Sequence, residues 1–161
     1  MNTRTITAFL AITFLSFGLN AQTKAITNGV INWEGSKITT ESHVGTINIS
    51  KGALTFEDDA LTGGNFTVDM NSIVCTDLSE EYGARLVGHL ESDDFFGVAE
   101  HPEATLVFTS VTPSDEGYQI TGDFTIRGIT HSESFELKID NNTATADFEI
   151  DRSKYNVKFR S

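Results

Sequence analysis

From Phe66 onward the chain alternates apolar and polar residues, segment after segment. Phe66, Val68 and Met70 alternate with Thr67, Asp69 and Asn71, and Tyr118, Ile120, Gly122, Phe124 and Ile126 with Gln119, Thr121, Asp123, Thr125 and Arg127. Phe135, Leu137 and Ile139 repeat the pattern against Glu136 and Lys138, as do Ala146, Phe148 and Ile150 further on. Successive side chains of an extended strand point to opposite faces, so this period of two makes antiparallel strands with one apolar and one wet face. Strands at about ten-residue spacing read as a sandwich or a barrel. The expected strands are 26–34, 44–50, 53–57, 61–75, 104–111, 118–127, 131–139 and 144–150.

Turn chemistry separates them. Pro113 to Gly117, Arg127-Gly128 and Asp140-Asn141-Asn142 suit turns, because Gly and Asn tolerate positive φ and Pro fixes a negative one. Gly63-Gly64 and Lys51-Gly52 read either as turns or as bulges that bend a strand. The exception to the β pattern is Ser79 to Val98, within which a short helix is expected. Ser79 can cap it, Glu80 and Glu81 suit its first turn, and Tyr82, Leu86 and Leu90 recur on one stripe. Gly83 and Gly88 weaken that helix by up to about 1 kcal/mol each.

The N-terminus reads as an export leader. Arg4 precedes the apolar run Ile6 to Leu19, which is shorter than the ~20 residues of a membrane span, and Ala21 offers a small residue for cleavage. The expected layout is a signal peptide at 1–21 and one domain at 22–161, with a periplasmic or secreted destination. Cleavage would remove Arg4 and shift the net charge from −12 to about −13. Such a surface repels nucleic acid and anionic bilayers, so neither nucleic-acid binding nor stable membrane insertion is expected. The single cysteine, Cys75, excludes an internal disulfide; beside Ile73 and Val74 it reads as a small core residue.

No residue set forms a recognised catalytic or metal motif. His89, Asp93, Asp94, Glu100 and His101 offer imidazole and carboxylate donors, yet their spacing matches no zinc pattern. Glu57-Asp58-Asp59 and Asp140-Asn141-Asn142 lack the spacing of a calcium loop and read as solvated turns. Asp151 and Arg152 could form a surface ion pair. No nucleophile elbow or cysteine–histidine signature is present, so no catalytic residue, metal ligand or cofactor is assigned.

Several ordered stretches resemble the YceI-like family. They are Ile31 to Lys37, His43 to Thr46, Gly63 to Ile73, Gly88 to Phe96, His101 to Thr105, Thr121 to Thr130 and Ile150 to Tyr155. The resemblance implies a lipocalin-like antiparallel barrel, exported in bacteria, whose apolar interior binds an isoprenoid, a quinone or a similar long-chain lipid. It supplies no catalytic residues. Members of the family run on past a segment like Lys158 to Ser161 into a further loop and strand, so an incomplete barrel with one open edge is expected.

The candidate ligand-binding residues come from strand alternation alone: Phe56, Phe66, Val68, Phe108, Phe124, Ile126, Phe135, Leu137 and Phe148. A barrel of about eight strands leaves room for one apolar ligand, and each buried methylene contributes about 0.8 kcal/mol. The leading expectation is non-catalytic carriage or sequestration of a lipid, with a homodimer among the assemblies considered. A secreted interaction module with a filled barrel is the alternative. An enzyme acting on an apolar substrate, with His43, His89 or His101 as acid–base, is the third.

Overall fold

The structure, a computed structural model, describes residues 21–36 and 42–157. The bulk of the expected leader and the segment Lys158 to Ser161 lie outside the described residues. Among the described residues eight strands form one sheet: β1 (Ala21–Ala25), β2 (Val30–Ser36), β3 (Ser42–Glu57), β4 (Ala60–Cys75), β5 (Glu103–Pro113), β6 (Tyr118–Ile126), β7 (Ile129–Asp140) and β8 (Thr143–Ala146). Helix α1 (Glu80–Glu91) links β4 to β5, and a short 3-10 helix (Arg152–Tyr155) follows β8.

Every ladder is antiparallel, in the order β1-β3-β4-β5-β6-β7-β8, with β2 also on β3. β3 is long enough to hold β2 along Ser42–Asn48 and β1 along Ala53–Glu57. The sheet curls into a lipocalin-like half-barrel. Among the described residues β8 pairs only with β7, so its outer edge is open.

The sheet departs from the expected strands in three places. The stretches 44–50 and 53–57 form one strand: Lys51 and Gly52 pair with Thr67 and Phe66 rather than turning, and a register shift falls just before them, between Ile49 and Lys51. A Cβ at Gly52 would lie 2.4 Å from Phe66 Cδ1 and one at Gly64 2.7 Å from Phe108 Cε2. These glycines make room for aromatic rings packed across the sheet, which is the other use of glycine in a strand. The expected strand 26–34 is β2 at 30–36, preceded by the unforeseen β1. The last expected strand stops at Ala146, leaving Phe148 and Ile150 beyond the ladder.

The helix is shorter than the 79–98 segment. Ser79 stands at its N-cap with extended dihedrals but makes no side-chain capping bond. The buried face is not the full expected stripe: Tyr82 is exposed, while Gly83 and Leu90 are buried and Leu86 and Val87 pack beside them.

The two ends of the half-barrel differ. Strand registers bring Asp58-Asp59, Ser114 to Gly117 and Asn141-Asn142 to one end as hairpin turns. At the other end gather α1, the 92–102 segment, the Arg127-Gly128 turn and the 3-10 helix. Three buried clusters form among the described residues. The first joins Leu54, Leu61, Ile120, Phe124, Phe135, Leu137, Tyr155 and Val157; the second joins Ile47, Ile73 and Leu90; the third joins Met70, Val98 and Ala104. Phe95 and Phe96 both pack on the first two, and Phe96 reaches the third.

Candidate functional site

Alternation along β4 to β7 sends phenylalanines from neighbouring strands to one face, where their rings touch in series. Ring centroids are 5.7 Å apart for Phe66–Phe108, 6.0 Å for Phe108–Phe135 and 5.9 Å for Phe135–Phe124. Phe148 closes the series, 5.4 Å from Phe124 and stacked on Phe135 at 4.6 Å. Tilted and edge-on ring pairs of this kind each contribute about 0.5–1.5 kcal/mol beyond the area they bury.

Of the expected ligand residues, Phe124, Phe135 and Leu137 are buried, and Phe56, Phe66, Phe108 and Ile126 are partly buried against the same cluster. Val68 packs instead on the second and third clusters. Phe148 is 37% exposed although it touches two core rings. It lies past the last ladder, so pairing does not hold it in place.

Two polar atoms among the described residues were not foreseen, one in the first cluster and one against the second. Tyr155 Oη and Trp33 Nε1 are buried and have no hydrogen-bond partner. Tyr155 is 0% exposed and belongs to the first cluster, and its burial pushes the phenol pKa upward. A buried polar group without a partner costs about 1–3 kcal/mol. Nothing in local spacing marks these atoms, since the absence of a partner is a property of the packed state.

The 3-10 helix that carries Tyr155 is fastened from several sides. Asp151 accepts from Ser153 N and Oγ at 2.9 and 2.7 Å, and these bonds hold its carboxyl below the usual range. Asp151 therefore caps the turn; the expected Asp151–Arg152 pair is replaced by Arg152 donating to Val157 O and lying over the Phe95 ring. Lys154 Nζ reaches Glu133 at 2.7 Å, and His131 Nε2 lies 3.0 Å from Lys154 O. Arg127 donates to Asp93 O, Phe95 O and Asn156 O at 2.6, 2.7 and 3.3 Å, tying the 92–102 segment to this helix.

The expected acid–base histidines do not converge on the phenylalanine face. His43 Nδ1 lies 3.1 Å from Asp77 Oδ2, His89 packs edge-on against Phe95, and His101 lies beside Gly97 and Gly128. Asp77 Oδ1 accepts from Cys75 Sγ at 3.1 Å. These hydrogen bonds, first from Cys75 and then from His43, lower the Asp77 pKa to about 2. The order is thiol–carboxylate–imidazole, so no imidazole is placed to take the thiol proton. Burial and then the bond to Asp77 raise the Cys75 pKa, which opposes thiolate formation. Cys75 is half-buried and lines a groove of ≈ 240 Å³ between α1 and β4 with Ile73, Leu78, Gly83 and Val87. A second groove, ≈ 290 Å³, runs along Glu136, Lys138, Thr145, Ala146 and Asp147. Neither is lined by the phenylalanine series. Among the described residues no helix is long and apolar enough to cross a membrane.

An antiparallel lipocalin-like half-barrel with an aromatic inner face defines the class: a barrel-type β protein whose fold fits a binding role. The chain matches the YceI-like domain over residues 10–161 and belongs to that family. It is 29% identical to protein YceI of Escherichia coli O157:H7, covering 82% of this chain and 72% of that one. A UPF0312 protein of Pectobacterium carotovorum is 32% identical over 59% of this chain, a match that spans about half (47%) of that relative's length. Solved structures agree on the fold. Burkholderia cenocepacia BcnA aligns with TM-score 0.52 and 16% identity over 86% of this chain and 82% of its own. The Campylobacter jejuni YCEI protein aligns with TM-score 0.51 and 14% identity over 95% and 80%.

Proposed function

We propose that the inner face binds a long-chain apolar molecule, an isoprenoid, a quinone or a related lipid, and that the protein carries or sequesters it without chemical conversion. The observation that carries this reading is the unbroken phenylalanine series ending on a ring, Phe148, that is both exposed and outside the sheet. A half-exposed ring stacked on Phe135 holds the place an apolar chain would take, and displacing it breaks no backbone ladder. Each methylene transferred from water to that face gains about 0.8 kcal/mol, less the cost of ordering and association. Chain-length discrimination is therefore weak and the carrier tolerates related lipids. The non-catalytic reading is supported by the dispersed histidines and the carboxylate placed between Cys75 and His43. The leader-like N-terminus supports a periplasmic or secreted site of action, after removal of the leader.

The test is organic extraction of the purified protein followed by mass spectrometry, together with titration by a fluorescent apolar probe. A co-purified isoprenoid-like lipid, or saturable probe uptake, is expected. Absence of both would sink the reading. It would favour instead an interaction module with a filled barrel, to which the position of both grooves off the phenylalanine face already lends support.

A further inference from the structure

We infer that Tyr155 is the polar anchor of the ligand site: its hydroxyl is held in reserve to donate a hydrogen bond to an oxygen at the head of an otherwise apolar guest. The inference rests on the lipid-binding reading and adds to it the guest's polar end and the residue that meets it. Four observations carry it. Tyr155 is completely buried, and its hydroxyl is one of only two buried side-chain polar atoms without a partner among the described residues. It sits in the same cluster as Phe124, Phe135, Phe66 and Phe108, so it shares the ground of the proposed apolar site. Other polar groups nearby are already engaged: His131 Nε2 contacts Lys154 O, Lys154 pairs with Glu133, and Arg127 is spent on backbone carbonyls. Finally, the ring is fixed edge-on to His131 at 5.2 Å on a helix pinned by Asp151, Lys154 and Arg127.

A hydroxyl buried without a protein partner by this much surrounding structure is poised for an acceptor that arrives from outside. The acceptor must come attached to an apolar chain, because the surroundings are hydrocarbon and aromatic. Water or an inorganic anion would have to give up its own hydration to enter. A phenol also donates to a neutral oxygen without needing a counter-charge. The guest class is therefore a long-chain alcohol, ether or carbonyl compound. Tyr155 lies at the end of the half-barrel closed by α1, the 92–102 segment and the 3-10 helix, so the guest enters oxygen-first with its chain along the phenylalanine face.

A matched pair of guests separates this from simple apolar uptake. Farnesol and farnesene share a prenyl chain and differ in the terminal oxygen. Each displaces a bound fluorescent apolar probe from the full-length protein and from the Tyr155→Phe variant, which removes one oxygen at nearly constant volume. The expected result is that Tyr155→Phe weakens farnesol about tenfold, a change of about 1.4 kcal/mol, and leaves farnesene within about twofold. Thermal melting of the ligand-free variant should be unchanged or raised, because the lost hydroxyl had no partner to leave behind. A melting temperature clearly lowered in the ligand-free variant would mean that the hydroxyl is structurally satisfied, and would overturn the inference. So would equal effects of the substitution on the two guests. If neither guest displaces the probe from the wild-type protein, the lipid-binding reading itself fails and the anchor falls with it.

Discussion

Residue by residue, the carboxylate of Asp77 shows how position in a constellation decides its chemistry. Cysteine, aspartate and histidine are common materials for a nucleophilic site, but the carboxylate stands between the other two. It also accepts from Val44 N at 3.3 Å, so it ties the start of β3 to the loop that leads into α1. Its role is that of a clasp, and its ionisation makes the clasp sensitive to acid. The folded pKa is lowered to about 2 from an ordinary 3.8. A depressed pKa means stability that is fully present above 3.8 and lost as pH falls through about 2. Replacing Asp77 with Ala should lower the melting temperature at pH 6, and the gap to wild type should narrow between pH 4 and 2. Melting curves across that range check this; a gap that stays constant to pH 2 would show that ionisation contributes nothing. Sequence reading named His43 and Cys75 separately and missed their common partner. The Cys75-x-Asp77 spacing was visible, but the approach of His43 comes from β3 pairing with β4, which local pattern does not reveal.

At the scale of elements, the strands that were legible were those whose alternation is uninterrupted, and β6 and β7 came out nearly as read. Errors came where glycine has two meanings. At Lys51-Gly52 it clears space for Phe66 inside a strand, whereas at Arg127-Gly128 it belongs to a hairpin turn. That turn has positive φ at both positions, 52° at Arg127 and 71° at Gly128. A side chain in this region costs about 1–2 kcal/mol, and Arg127 is held there by donating to three carbonyls from separate segments. The balance between strain and bonding can be measured with two variants. Arg127→Ala keeps the strain and loses the bonds, so it should destabilise by about 2–3 kcal/mol, within the range for hydrogen bonds from a charged donor. Arg127→Gly loses the same bonds but relieves the strain, so it should cost about 1 kcal/mol less than the alanine variant. Urea unfolding distinguishes them. Equal midpoints for the two variants would mean that the left-handed backbone at this position is not strained.

For the molecule as a whole, the aromatic inner face was readable because it follows from strand period alone. Its weak point was not, because Phe148 continues the apolar alternation on paper while the ladder ends at Ala146. A periodic pattern records which side a residue would take if paired; it does not record whether a partner strand reaches it. That difference separates two rings in contact with each other. Phe135 is 5% exposed and lies mid-strand, so truncating it to Ala leaves a cavity and should cost about 3–5 kcal/mol. Phe148 is 37% exposed and lies beyond the ladder, so Phe148→Ala should cost less, about 1–3 kcal/mol from its two ring contacts. Binding should order them differently. If the Phe148 ring occupies the place of the guest, removing it clears the path to Phe135 and Phe124, and an apolar probe should bind Phe148→Ala at least as tightly as wild type. If Phe148 is part of the binding wall, the same variant should bind several-fold more weakly. Denaturant unfolding and probe titration on the one protein separate these cases, and weaker binding by a variant that still unfolds cooperatively would reject the displaceable ring while leaving the aromatic face as the site. The acidic surface, at −12 over the full chain, favours low salt for this measurement, because unscreened like charge opposes self-association through exposed rings such as Phe148.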